Sequence, residues 1–423
     1  MFLNNFKICV IGLGYVGLPL AVEFGKKVKT LGFDINKKRI KDLKEGLDNT
    51  FEKSKEEILE AKFLSFSDIS EDIEEFNCYI ITVPTPIDGK NKPNLRPIEN
   101  ASKQVGKYLN KNDLVIYEST VYPGCTEEIC VPILEKESNL EFNRDFFCGY
   151  SPERINPGDR NHKITDIKKV TSGSTDNIAN IVDKIYKEII PAGTHKAKTI
   201  KIAEAAKIIE NTQRDLNIAL INELSMLFNE LDIDTELVLK AAETKWNFNS
   251  YRPGLVGGHC ISVDPYYLTF KAEKIKFKPE IILSGRKIND NMPIYIVKKL
   301  FQKMKSKKIK IDGSNILIMG LAFKENCNDL RNTQVINLYN NLKESCNVEI
   351  YDPLIMSKDA KDTYNIELIK YPSNNFYDAI IIAVAHDIFK EIGSNTIKDF
   401  CKSNAIIFDL KYLLNSEDSD LRL

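Results

Sequence analysis

The stretch KICVIGLGYVGLPLAVE, residues 7–23, decides how this chain is read. Lys7–Ile11 is a short run of apolar and β-branched residues, the mark of a buried strand. Gly12, Gly14 and Gly17 follow in G-x-G-x-x-G spacing, and an apolar helical period begins at once. The first glycine permits a tight turn, the second lets backbone approach a diphosphate, and the third lets helix and strand pack closely. The helix N-terminus adds a positive field for an anion. Asp34 closes the next apolar run, Thr30–Asp34, twenty residues after Gly14. A carboxylate there accepts from ribose hydroxyls and repels a 2′-phosphate, so NAD is favoured over NADP. Arg39, five residues on, leaves an attraction for phosphate open. The cofactor set read here is Gly12, Gly14, Val16, Gly17, Asp34 and Arg39.

Outward from this stretch, strand-like runs recur at Tyr79–Val83, Leu114–Glu118, Phe146–Tyr150 and Val170–Gly173, with helix-length amphipathic segments between several of them. That is the pattern of a parallel sheet covered on both faces. Thr85 and Thr120 follow the third and fourth strands, at the end of a parallel sheet where ligands sit; alternatively, their hydroxyls cap the next helices. From Ala197 to about Leu231 a helical period runs without Gly or Pro. A second helix is expected at Asp234–Thr244, and a Gly-rich loop at Asn247–Asp264. Strand signals return at Asn315–Met319, Val348–Tyr351, Ala379–Ala385 and Ala405–Asp409, and Glu417–Leu423 reads as a polar tail with no assigned role. The fold class expected is α/β, two Rossmann-like domains joined by a helical middle domain with a long central helix. The expected divisions are 1–196, 197–305 and 306–423.

Composition narrows the function. The chain has 423 residues, 43% hydrophobic and 28% charged, with a formal net charge of −1, which excludes a disordered or fibrous protein. No global basic footprint for nucleic acid or anionic membrane exists. Only ten of the 59 basic residues are Arg, so each Arg inside a motif carries extra weight as an anion ligand. Nine scattered Cys with no C-x-x-C pair read as free thiols in a reducing compartment. Ile8–Val22 mimics a signal-peptide core, but three glycines and Pro19 interrupt it and no small-residue cleavage site follows. A cytoplasmic location without membrane insertion is expected.

Gly257-Gly258-His259-Cys260 is the second informative segment. Two glycines bring backbone close to whatever lies there. Cys260 sits in a polar loop with Asp264 four residues on, unlike a buried, inert thiol, and a thiolate there is a covalent nucleophile. No metal is expected, because no second ligand pair accompanies His259 and Cys260. A dinucleotide site plus a nucleophilic Cys points to oxidation beyond the aldehyde level. Sulfur adds to an aldehyde, the thiohemiacetal gives up a hydride, and water cleaves the thioester.

Taken in order, the motifs resemble the UDP-glucose/GDP-mannose dehydrogenase family. They are GLGYVG (12–17), VPTP (83–86), EST-x-x-PG (118–124), SPERINPG (151–158), K-x-x-E-N-x-x-R (207–214), PG-x-VGGHCI-x-VDPYYL (253–268) and GLAFKENCNDLRNT (320–333). The wording of GGHCI and DPYYL, with GRKINDNM (285–292), is most similar to the branch acting on UDP-N-acetylhexosamines. The resemblance implies Cys260 as nucleophile and Lys207 as partner of the developing oxyanion. It places Asn211 and Arg214 on the same helix face as Lys207; from the residues alone that face is equally a solvated one. It implies that Asp264 and Thr120 hold the water taking the alcohol proton, and that Glu153 assists thioester hydrolysis. Arg154, Ile155, Gly257 and Lys324 would meet the UDP-sugar, and Arg331 and Thr85 the cofactor. Cys125 stands where relatives carry Thr. Loop 244–251 lacks the His and Arg that some relatives lend across a subunit boundary, so Lys245 or Arg252 is expected to substitute. A homodimer or higher homo-oligomer is implied. Two readings of other classes remain: a two-electron hydroxyacid dehydrogenase, with no need for Cys260, and a non-catalytic NAD sensor.

Overall fold

Apolar runs without alternation become central strands, because a parallel sheet is covered on both faces. In the computed structural model, which describes residues 2–154, 163–258 and 260–423, this holds for β1 (Ile8–Ile11), β2 (Thr30–Phe33), β4 (Cys78–Ile81) and β5 (Leu114–Tyr117), each buried at every position. With β3 (Leu64–Ser67), β6 (Phe147–Tyr150), β7 (Lys169–Gly173) and β8 (Thr194–Lys196) they form one sheet in the order β3-β2-β1-β4-β5-β6-β7-β8. Every neighbouring pair is parallel except β6 and β7, which run antiparallel. The helix Gly17–Gly25 lays Leu18, Ala21 and Val22, and the helix Asp176–Lys187 lays Ile178, Val182 and Ile185, into a core with Ile8, Val10, Ile80 and Ile116. These elements belong to a first unit, Met1–Glu210 with Tyr266–Phe277.

The second unit comprises Asn211–Pro265 and Lys278–Leu423. Its sheet is wholly parallel, with β9 (Asn315–Met319), β10 (Asn347–Tyr351), β11 (Tyr377–Ile382), β12 (Cys401–Asp409) and β13 (Leu421–Arg422) in the order β10-β9-β11-β12-β13. Alternate residues of β9 serve opposite faces. Ile316 and Ile318 pack with Met292, Ile296 and Leu300 of the helix Glu280–Ser306, whereas Leu317 and Met319 pack with Phe389, Ile397 and Phe400. The expected polar tail is instead structural: Leu421 and Arg422 pair with β12, Leu423 is buried, and Arg422 lies 3.1 Å from Asp234.

The expected long helix spans Ile200–Glu230, 31 residues. Its second-unit part is tied to Glu280–Ser306 by a buried polar network. Arg286 reaches Asp215 at 2.6 Å, Asn289 donates to Asp215, and Asn222 donates both to Asn289 and to the Gly254 carbonyl. A Cβ on Gly285 would strike a terminal methyl of Leu216, so a larger residue there would require that side chain to move. GRKINDNM therefore does structural work in this chain: it clamps the turn that opens the Gly-rich loop. The architecture is the α/β class expected, two Rossmann-like sheets and a helical middle region. Among the described residues no helix is long and apolar enough to cross a membrane.

Candidate active site

The glycine turn after β1 is built for close approach. Gly12 has φ +93°, a conformation in which a side chain is strained. A methyl on Gly17 would collide with the Gly12 carbonyl oxygen and the Thr82 hydroxyl, whereas a methyl on Gly14 would meet nothing within 4 Å. The turn is held from behind. Asp34 Oδ2 accepts from the Leu13 amide at 2.8 Å and Oδ1 from the Asn36 amide at 2.9 Å. Arg39 Nε donates to the Leu13 carbonyl at 2.9 Å, and its guanidinium pairs with buried Asp48 at 2.7 Å. Arg39 is thus engaged in fixing the turn. The open face over Gly14, the partly exposed Asp34 carboxylate and the helix starting at Gly17 fit a dinucleotide: backbone amides for its diphosphate and a carboxylate for its ribose.

The ends of β4 and β5 are laced together. Thr85 donates to the Thr120 carbonyl at 2.7 Å, Ser119 to the Val83 carbonyl at 2.6 Å, and Tyr267 to the Thr85 carbonyl at 2.8 Å. Neither threonine caps a helix: the next helices begin after Leu95 and Cys125. Glu204 is fully buried, and its carboxylate accepts from the Gly124 and Thr126 amides. Burial pushes its carboxyl up to about 7.

Of the proposed catalytic groups in the first unit, Lys207 is 8% exposed and Glu153 is equally buried. Glu153 Oε1 accepts from the Arg154 amide at 2.6 Å, and its Oε2 lies 3.4 Å from the Lys169 ammonium. Arg154 pairs with Glu210 at 2.8 Å and donates to the Lys168 carbonyl. Ile155, the residues 156–158 that end SPERINPG, and His259 lie outside the described residues.

In the second unit, Cys260 and Asp264 are joined through one turn: the Asp264 amide donates to the Cys260 carbonyl at 2.8 Å. Asp264, 3% exposed, opens the helix Asp264–Lys274 and accepts from Asn211 at 2.6 Å. Cys260 is partly exposed, while seven of the other cysteines are buried and Cys401, also partly exposed, is pushed up to about 12 by burial. Cys125 is buried, and contact with Cys130 together with desolvation raises its thiol far above the usual range. A Cβ on Gly257 would lie 2.7 Å from the Asn332 carbonyl oxygen, and one on Gly258 2.7 Å from the Phe323 ring. The glycine loop before Cys260 therefore leans on the segment carrying Lys324 and Arg331. Lys324 and Gly257 line one narrow cleft with Leu255, Thr333 and Lys411. Arg331 is paired with Asp329 at 2.6 Å, Arg252 with Glu236 at 2.7 Å and also with Glu243, and Arg214 is exposed.

One feature escaped sequence reasoning. The β1 turn is built a second time after β9: Gly320 has φ +96°, and Asp352 at the end of β10 accepts from the Leu321 amide at 2.6 Å. His386 is fully buried. Its Nδ1 accepts from the Asn326 amide at 2.9 Å, which leaves the proton on Nε2, 3.2 Å from Asp352. Gly320-Leu321-Ala322 with Asp352 was the available signal; nothing local marked His386.

Three family models match the chain. They are the NAD binding domain of the UDP-glucose/GDP-mannose dehydrogenase family over residues 6–190, its central domain over 201–291, and its UDP binding domain over 317–416. Among curated proteins the chain is 58% identical to UDP-N-acetyl-D-glucosamine 6-dehydrogenase of Pseudomonas aeruginosa, over 100% of both chains. It is 56% identical to the protein of that name in Salmonella typhi, over 100% of this chain and 99% of the other. A solved UDP-D-ManNAc dehydrogenase of Pyrococcus horikoshii superposes with a TM-score of 0.88 at 30% identity, covering 97% of this chain and 96% of that one. A dinucleotide turn, a cysteine loop and a second nucleotide-type sheet thus occur in the order of these matched domains, and the chain belongs to the UDP-glucose/GDP-mannose dehydrogenase family, whose members are NAD-dependent nucleotide-sugar dehydrogenases.

Proposed function

We propose that this protein oxidises C6 of UDP-N-acetyl-D-glucosamine from alcohol to carboxylate, a four-electron reaction using two NAD and one water. The observation that carries the reading is Cys260, partly exposed on a glycine loop and joined by backbone to Asp264. The relatives at 58% and 56% identity support the sugar. Bound NAD supplies the hydride acceptor. Asp264, its carboxylate fixed by Asn211, holds with Thr120 the water that takes the C6 hydroxyl proton. Cys260 Sγ adds to the resulting aldehyde, and the Lys207 ammonium stabilises the oxyanion. After a second hydride leaves the thiohemiacetal, a thioester remains on Cys260. Glu153 then takes a proton from the attacking water, and carbon–sulfur cleavage frees the uronate. Arg154, Arg214 and Lys324 bind the sugar nucleotide in this reading, and Asp34 and Gly14 bind NAD.

The same proposal assigns 1–196 to the cofactor, 197–305 to the cysteine loop and chain pairing, and 306–423 to the uridine diphosphate. Exposed Leu220, Leu227, Leu231 and Leu237 support association into a homodimer or higher oligomer. The enzyme works in the cytoplasm, and the product is an acidic sugar donor for a surface polysaccharide. A panel of UDP-sugars assayed by NADH release tests this: UDP-N-acetylglucosamine should be turned over fastest, with two NADH per sugar and little free aldehyde. Cys260→Ser should lower turnover by orders of magnitude. One NADH per sugar, faster use of UDP-glucose, or full turnover by Cys260→Ser would refute the proposal.

A further inference from the structure

Lys169 is a lysine that the reaction described above does not use, and it is 2% exposed. Burying an ammonium is costly unless it is paired and hydrogen-bonded. Here it is doubly paired: Glu118 Oε2 lies 2.5 Å from Nζ and Glu153 Oε2 lies 3.4 Å away. The Tyr186 ring faces the ammonium with its centroid 5.4 Å off, and the Tyr186 hydroxyl donates to the other Glu118 oxygen.

Topology explains why the cluster sits where it does. Glu118 directly follows β5, at the carboxyl end of the sheet. β7 is antiparallel to β6, pairing Gly149 with Gly173 and Tyr150 with Ser172. That single reversal brings the start of β7, and Lys169 with it, to the carboxyl end of β6, where Ser151-Pro152-Glu153 emerges. Ser151 donates to the Val170 carbonyl at 2.7 Å and fixes this register. One ammonium therefore stands between a sealed carboxylate, Glu118, and one at the rim, Glu153. Burial raises the Glu118 carboxyl to about 7, with Lys169 opposing the rise.

We propose that Lys169 is a positioning residue for thioester hydrolysis: anchored by Glu118 and Tyr186, it holds the Glu153 carboxylate aimed so that Glu153 can take the proton of the attacking water. This rests on the reading of Glu153 given above. The step it serves exchanges no electrons. The water oxygen bonds to the acyl carbon, its proton passes to Glu153, the carbon–sulfur bond breaks, and Cys260 leaves as thiolate. Arg154 completes the clamp, because its amide fixes the other Glu153 oxygen. The two hydride transfers precede this step and need no part of the cluster, so loss of Lys169 affects the halves of the reaction unequally. A merely structural lysine would slow both.

The test compares Lys169→Met, Lys169→Gln, Lys169→Arg and Glu153→Gln in the full-length enzyme with NAD and UDP-N-acetylglucosamine. Stopped-flow NADH traces and intact-protein mass spectrometry are the readouts. Lys169→Met should keep a burst of two NADH per site within about threefold of the wild-type rate. Its steady-state turnover should fall at least tenfold, and the mass of an acyl adduct should accumulate. Lys169→Gln, which keeps a donor to Glu118 but no charge, should stall in the same way even if the Met variant fails to fold. Lys169→Arg should recover part of the turnover. If both neutral variants slow burst and steady state alike with no adduct while Glu153→Gln accumulates it, Lys169 is structural and the inference fails. If Glu153→Gln itself shows no adduct, the reading of Glu153 fails instead.

Discussion

Two glycines three residues apart should respond oppositely to the same added methyl. At Gly17 the methyl collides with the Gly12 carbonyl oxygen and the Thr82 hydroxyl, and the first of these is backbone. Thr82 is itself committed, donating to the Ile11 and Gly12 carbonyls, so the turn cannot yield cheaply. Overpacking of this kind costs about 3 kcal/mol. In a unit of this size that lowers the melting temperature by about 6–12 °C. At Gly14 the methyl meets nothing within 4 Å, and φ is not in the left-handed region. Gly14→Ala should therefore leave the ligand-free protein as stable as wild type, or gain about 0.4–1 kcal/mol through a less flexible unfolded chain. Yet the methyl occupies the space through which backbone amides reach a diphosphate. Losing one such charge-assisted hydrogen bond costs about 1.5–3 kcal/mol, which is about 10- to 150-fold in Kd. The assay is calorimetric titration with NAD, paired with thermal unfolding with and without NAD. Gly14→Ala should unfold at the wild-type temperature without ligand and lose the NAD-dependent rise. NAD affinity within threefold of wild type in Gly14→Ala would show that the diphosphate does not lie over this turn. A ligand-free melting temperature unchanged by Gly17→Ala would refute the packing argument.

Two further predictions concern buried groups. Glu204 has its carboxyl raised from an ordinary 4.5 to about 7 by burial, so the native state binds the proton more tightly than the unfolded chain does. Its contribution to stability is full below about pH 4.5 and is lost as pH rises through about 7, a span of about 3 kcal/mol. Denaturant melts across that range should show a shallower pH dependence in Glu204→Gln than in wild type; identical slopes would mean that Glu204 ionises freely. His386→Ala removes the buried acceptor of the Asn326 amide, a loss of about 1–3 kcal/mol that loosens the segment bearing Lys324. KM for the UDP-sugar should rise about tenfold with kcat changed far less. The reverse split, kcat falling at constant KM, would show that His386 acts on the chemistry instead.

The sequence alone determined what depends on near neighbours. The G-x-G-x-x-G turn, the buried strands β1, β2, β4 and β5, and Asp34 at a strand end follow from local spacing, because turn conformation and two-sided burial leave marks within a few residues. Cys260 stands out in the sequence for the same local reason, as a thiol two residues after a glycine pair, and its chemical role is the proposal made above. β3 was not, because Leu64–Ser67 alternates with serine at a sheet edge; nor was β13, two residues long and held by its pairing with β12. Sequence did not show that Arg39 pairs with Asp48, or Arg252 with Glu236 and Glu243, because those partners are chosen by the fold. Lys169 reads in sequence as half of an ordinary Lys-Lys pair. Only the tertiary structure sets it against Glu118, 51 residues away, and brings Tyr186 onto that carboxylate from 68 residues away. The physical reason is desolvation: whether a charged side chain is a solvated surface group or a buried, shared counter-ion depends on what the rest of the chain packs around it, and no local spacing records that.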